Sequence, residues 1–147
     1  MNKVNIKVFE DKQHRNKVTT LWREVFGYED ARNSPELVID KKLKVVDDLF
    51  FVAVKENAVV GTIMTGYDGH RGWIYSLAVL PEYRRKGVGS ALLEFAEKKL
   101  SSLGCVKINL QILDENEEAY KFYQANGYTT EKRISMGKQL KENIKIA

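Results

Sequence analysis

The 147 residues predict one α/β domain, spanning 1–147 and built on a mixed sheet. Three observations predict it. Short apolar runs of strand length occur at residues 49–54 and 59–67, between stretches with helical spacing. Two later strand-like runs, 73–79 and 106–112, are separated by a long amphipathic stretch, so they should lie parallel with a right-handed crossover. Apolar residues make up 44% of the chain, enough at this length to cover a sheet with helices around one core.

Residues 4–9 alternate apolar and polar side chains, as a half-buried strand does. A helix follows over about 11–26, with Val18, Leu21, Trp22, Val25 and Phe26 on its buried stripe and Gly27 ending it. Ser34-Pro35 reads as an N-cap and first-turn proline, starting a second helix to about Lys44. The runs 49–54 and 59–67 form a hairpin around Glu56-Asn57. Asp68-Gly69-His70-Arg71-Gly72 turns the chain into the strand 73–79, which Pro81 closes. The next helix aligns Leu92, Leu93, Ala96 and Leu100 on one face, and the strand 106–112 comes after it. A fourth helix covers 115–126 and stops at Gly127, and residues 128–140 read as a two-strand ending. The order is β-α-α-β-β-β-α-β-α-β-β.

Composition narrows the function. No apolar run approaches the roughly 20 residues of a membrane span, and Met1-Asn2-Lys3-Val4-Asn5 is not a secretory leader. A cytoplasmic location without membrane attachment is expected. Cys105 is the only cysteine and the two histidines lie far apart, so neither a disulfide nor a metal site is expected. The net charge of +4 is spread along the chain, unlike the dense basic stripe of a nucleic-acid reader. The local cluster Arg84, Arg85, Lys86 suits a small polyanion instead.

That cluster leads into Gly87-Val88-Gly89-Ser90, between a strand and a helix. Glycines there let backbone N–H groups approach a ligand closely, at a helix start whose dipole favours negative charge. A phosphate cradle and a merely basic βα turn both fit this spacing. A P-loop is excluded because Ser90-Ala91, not Lys-Ser/Thr, follows Gly89. A dinucleotide fingerprint is excluded because Leu92 stands at its third glycine position.

Residues 77–93, from Leu77-Ala78-Val79 through Arg84-Arg85-Lys86-Gly87-Val88-Gly89 to Leu93, resemble the cofactor motif of GNAT acetyltransferases. That pattern, Arg/Gln-x-x-Gly-x-Gly/Ala, is met by Arg84, Gly87 and Gly89. Asn116-Glu117-Glu118-Ala119-Tyr120-Lys121-Phe122-Tyr123 with Gly127-Tyr128 is similar to a second motif of the family. Gly66-Tyr67-Asp68-Gly69-His70-Arg71-Gly72 and Ser135-Met136-Gly137-Lys138-Gln139-Leu140 resemble its YpeA-type subgroup. The resemblance implies the GNAT fold, with splayed central parallel strands, and acetyl-CoA as co-substrate without a metal.

It also implies site residues. Backbone groups of Leu77, Ala78 and Val79, freed by a bulge, would bind the pantetheine arm and polarise the thioester. Arg85 to Ser90 would hold the pyrophosphate. Asn116 would contact the cofactor arm, or simply cap its helix. Tyr123 would protonate the leaving thiolate, or be a core aromatic. Relatives place a basic glutamate where this chain has Gln111, which cannot take a proton. Tyr75 and Ser76 could order a water instead, and Asp68 and His70 stand on the preceding turn. Tyr28, Glu29, Asp30 and Arg32 fall in the acceptor-side segment, where Glu29 and Asp30 would attract a cationic amine or be plain solvated loop. The expected acceptor is a primary amine of a small molecule or peptide, and a homodimer stays open. The alternative is a GNAT-fold domain that binds acyl-CoA with little turnover, as a sensor or interaction module.

Overall fold

The computed structural model describes residues 3–27 and 34–141. They fall into two compact units, Met1–Gln111 and Ile112–Ala147, each described here by itself.

The first unit runs β1 (Asn5–Val8), α1 (Asp11–Phe26), α2 (Pro35–Val45), β2 (Phe50–Lys55), β3 (Ala58–Tyr67), β4 (Gly72–Val79), a single 3-10 turn (Pro81–Tyr83), α3 (Val88–Ser102) and β5 (Ile108–Asn109). The strands form one sheet in the order β1-β2-β3-β4-β5. All pairings are antiparallel except β4–β5, which is parallel across the α3 crossover.

Local chemistry sets the boundaries. Gly27 takes the left-handed conformation that ends α1, and its N–H donates to the Arg23 carbonyl at 3.0 Å. The Ser34 hydroxyl accepts from the Leu37 N–H, capping α2 ahead of its first-turn proline. Glu56 and Asn57 both have positive φ, the signature of the tight turn that suits a hairpin's twist. Alternation along β2 sends Phe50 and Val52 toward a core shared with Val18, Leu21, Trp22 and Ile39 of the first two helices. Phe51 faces the other way and meets Phe95 of α3 edge-on at 5.0 Å. There Leu92, Leu93, Ala96 and Leu100 are fully buried. α3 lies so close to β3 that a Cβ on Gly61 would stand 2.9 Å from Leu92 Cδ1 and 3.1 Å from the Ala78 carbonyl.

The strand expected at 106–112 is reduced to Ile108–Asn109. Val106 is almost wholly exposed, and β4 offers a partner only at Gly72 and Trp73. An apolar-rich pattern shows that a segment would fit a pleated surface; the length of the ladder is set by the partner.

The second unit holds α4 (Glu117–Ala125). Asn116 caps it, its side-chain oxygen accepting the Ala119 N–H at 3.1 Å. Phe122 packs edge-on against Tyr123 at 5.1 Å, and Tyr123 against Tyr128 at 5.7 Å. The Tyr128 N–H donates to the Tyr123 carbonyl. The expected two-strand ending over 128–140 is not formed: no strand occurs there among the described residues. Ile134 and Met136 alternate as strand residues would, yet they are 88% and 89% exposed. Without a covered apolar face, the segment gains nothing from pairing with itself.

Candidate active site

The second half of β4 is irregular. Thr62 of β3 pairs with Ala78 and Met64 pairs with Tyr75, so Ser76 and Leu77 together oppose Ile63. Two residues against one is a β-bulge, and Ser76 adopts φ of 48°, left-handed for a non-glycine residue. Beyond Trp73, β4 has no partner on β5, and the two strands separate. The expected bulge and splay are present, but the bulge falls on Ser76 and Leu77: Ala78 and Val79 stay in register with Thr62 and Gly61 of β3 and are open only on the edge that β5 has left.

The strand runs into the basic loop. The Leu80 N–H donates to Val60 O, and the Tyr83 and Arg84 N–H groups close the Pro81–Tyr83 turn. Arg84 ties back through its Nε to the Val79 carbonyl at 3.0 Å. Arg85 and Gly87 both have positive φ, 62° and 84°, with Gly87 as the N-cap of α3. Left-handed residues alternating with others turn successive N–H groups into one concavity. No side chain caps α3 at Gly87, so the first-turn N–H groups of a 15-residue helix point outward without an intrahelical partner. A Cβ built on Gly87 would meet open space, so the glycine is kept for its φ. Arg84, Arg85 and Lys86 are exposed, and the Lys86 ammonium lies 5.8 Å from the centre of the Tyr83 ring. Val88 is buried and anchors the helix start. Open space, outward N–H groups and three cations fit a pyrophosphate ester such as that of CoA.

Where β4 leaves β5, Trp73, Ile74, Tyr75, Ser76 and Gln111 line a pocket of about 310 Å³. Tyr75 and Gln111 are thus brought together, and with Ser76 they border the bulge. Burial raises the Tyr75 hydroxyl above its usual pKa, and the charge of Asp68 adds to the effect. Asp68 accepts the N–H groups of Arg71 and His70, at 2.7 and 2.8 Å. Those bonds, the Arg71 one foremost, hold its carboxyl below the usual range. Asp68 and His70 are not part of the pocket lining: Asp68 closes the turn before β4, and His70 contributes its backbone to that turn. Tyr28, Glu29, Asp30 and Arg32 lie outside the described residues.

Asn116 and Tyr123 belong to the second unit. The amide of Asn116 is engaged as a helix cap. Tyr123 is half-buried, and desolvation pushes its hydroxyl up to about 12. Sequence reasoning missed Trp73 as a pocket wall and Thr62 as a partner of the bulge. Thr62 gave a usable signal, because a hydroxyl inside an apolar strand must find a partner when buried.

A bulged strand feeding a positive-φ loop and an uncapped helix start defines a site suited to a phosphate-bearing ligand. The model of the acetyltransferase (GNAT) family matches residues 15–128, so the chain belongs to that family and is an acetyl-CoA-dependent N-acyltransferase. An acetyltransferase of Yersinia enterocolitica is 42% identical over 108 residues, covering 74% of this chain and 77% of that one. Among solved structures, a NatC complex bound to Gag peptide and CoA matches with a TM-score of 0.77 at 26% identity, over 90% of this chain and 88% of that one. An aminoglycoside N-acetyltransferase in complex with CoA gives 0.75 at 16% identity, over 92% and 94%, and shares the fold. Among the described residues, no helix is long and apolar enough to cross a membrane.

Proposed function

We propose that the protein transfers an acetyl group from acetyl-CoA to a primary amine of a small molecule or peptide, by direct attack while both are bound. The observation that carries this reading is the pocket between Tyr75 and Gln111, which opens beside the bulge at Ser76 and Leu77. It offers an acceptor nitrogen a seat next to the backbone groups that would hold the acyl carbonyl. Holding both reactants in line supplies much of the acceleration.

Acetyl-CoA supplies the activated acyl group as a thioester. The backbone of Leu77, Ala78 and Val79 holds its arm, and residues from Arg84 to Ser90 hold its pyrophosphate. The neutral amine nitrogen attacks the acyl carbon; a C–N bond forms, the C–S bond breaks, and the sulfur leaves with the electron pair. Tyr123 gives its proton to that sulfur and regains one from solvent, while a water ordered by Tyr75 and Ser76 relays the proton from nitrogen out to solvent, so the protons balance over a turnover. Gln111 cannot act as base, so turnover depends on how much acceptor arrives neutral. A hydroxyl at about 12 stays protonated at every working pH, so it always arrives as a donor. The transfer to a thiolate runs uphill, because desolvation holds the tyrosine proton more tightly than a free thiol holds its own.

The test is acetyl-CoA consumption against a panel of primary amines and peptides. Turnover on at least one primary amine is expected, rising with pH as the acceptor deprotonates. Tight acetyl-CoA binding with no turnover on any acceptor would favour the alternative, an acyl-CoA sensor, which the glutamine at position 111 supports.

A further inference from the structure

We infer that Trp22 and Thr62 are positioning residues, which set the direction of the bulged Ser76–Leu77 peptide and so aim the N–H that receives the acyl carbonyl. The inference rests on the acyl-CoA reading above. Trp22 and Thr62 are fully buried. The Trp22 indole N–H donates to Thr62 Oγ1 at 2.9 Å, and Thr62 Oγ1 donates to the Ser76 carbonyl at 3.0 Å. An indole can only donate, so it occupies a lone pair of the hydroxyl and leaves the hydroxyl hydrogen to Ser76. The two bonds form a directed chain from the α1 core to the bulge.

Geometry extends the chain by one group. In a trans peptide the C=O and the following N–H point in opposite directions. Drawing the Ser76 carbonyl toward Thr62 therefore sends the Leu77 N–H the other way. Neither Ser76 nor Leu77 has a register partner on β3, and Ser76 holds a left-handed φ that a serine seldom adopts unaided. Valine would fill the Thr62 site with the same shape and suit a strand as well. A hydroxyl there serves Ser76 on one side and Trp22 on the other.

The experiment uses the whole chain with carbonyl-labelled ¹³C-acetyl-CoA and needs no acceptor. Infrared difference spectra read the thioester carbonyl stretch, and titration reads acetyl-CoA affinity. In wild type the bound carbonyl should absorb at lower frequency than the free one. In Thr62→Val most of that shift should disappear while affinity changes less than about threefold, because phosphate contacts dominate binding. Thr62→Ser, which keeps the hydroxyl but loses a methyl group, should restore the shift despite lower thermal stability. If Thr62→Val does not fold, Trp22→Phe replaces it and should lose part of the shift. A merely structural role would lower thermal stability in all variants and leave the carbonyl frequency alone. An unchanged frequency in folded Thr62→Val, or no shift in wild type, overturns the inference while the acyl-CoA reading stands. Failure of wild type to bind acetyl-CoA overturns both.

Discussion

The two units hold the groups proposed for function by different means. In Met1–Gln111 a five-stranded sheet and packed helices fix backbone groups: the bulged peptides of β4 and the first N–H groups of α3. In Ile112–Ala147 a nine-residue helix with no buried side chain presents side chains, held by the Asn116 cap and the contacts of Tyr123 with Phe122 and Tyr128. Backbone groups survive most side-chain changes but answer to anything that alters φ or inserts a Cβ. Side-chain groups vanish with one substitution. The first unit should therefore be hard to damage except at its glycines and its bulge, and the second easy to damage at single residues.

Four outcomes test that contrast. The largest is expected from Tyr123→Phe, which should cut turnover on an accepted amine about 100-fold, as loss of a general acid does. Acetyl-CoA affinity should stay unchanged; turnover near the wild-type rate would take the proton transfer away from Tyr123. Gly89→Asp comes next. A carboxylate in the first turn of α3 should raise the CoA dissociation constant about tenfold through clash and like-charge repulsion, measured by calorimetry. Unchanged affinity in the folded variant would move the pyrophosphate elsewhere. Asn116→Ala should lower stability by about 1 kcal/mol, the usual cost of an N-cap, whereas Asn116→Asp should not. Weaker CoA binding in both variants would show a second role for the amide beyond the cap.

The smallest effect concerns pH. The Tyr123 hydroxyl is raised from about 10 unfolded to about 12 folded. The folded state then binds the proton more tightly, so its contribution is complete below pH 10 and is lost as pH rises from 10 toward 12. Wild type should lose more melting temperature over that window than Tyr123→Phe; equal losses would mean that Tyr123 is not desolvated.

The sequence carried the elements of the first unit well because their ends are written in residue chemistry. Ser34-Pro35 starts α2, Gly27 stops α1, and Glu56-Asn57 folds the hairpin. The glycine loop was legible for the same reason, since Gly87 marks a conformation few residues adopt. The bulge was not legible from the residues themselves. A period-2 pattern describes one strand, and a bulge is a relation between two, visible only when Thr62 and Met64 are matched to Ala78 and Tyr75. β5 was overestimated for that reason too. The segment over 128–140 shows the opposite limit: Ile134 and Met136 carry a strand's alternation, but nothing within it supplies a covered face. Of the pocket, Tyr75 and Gln111 were foreseen through the family resemblance, and Trp73 was hidden in what looked like ordinary strand.

Gly61 sets how closely α3 can lie on the sheet. Because Gly61 has no side chain, Leu92 and Val88 of α3 and the Ala78 carbonyl of β4 close in to within 2.9, 3.2 and 3.1 Å of where a Cβ would stand. One missing methyl group thus gauges the gap between the helix that would grip phosphate and the strand that would grip thioester. A larger residue there would widen the gap without touching a ligand, and the protein would then be matched to a different span between the two ends of its co-substrate.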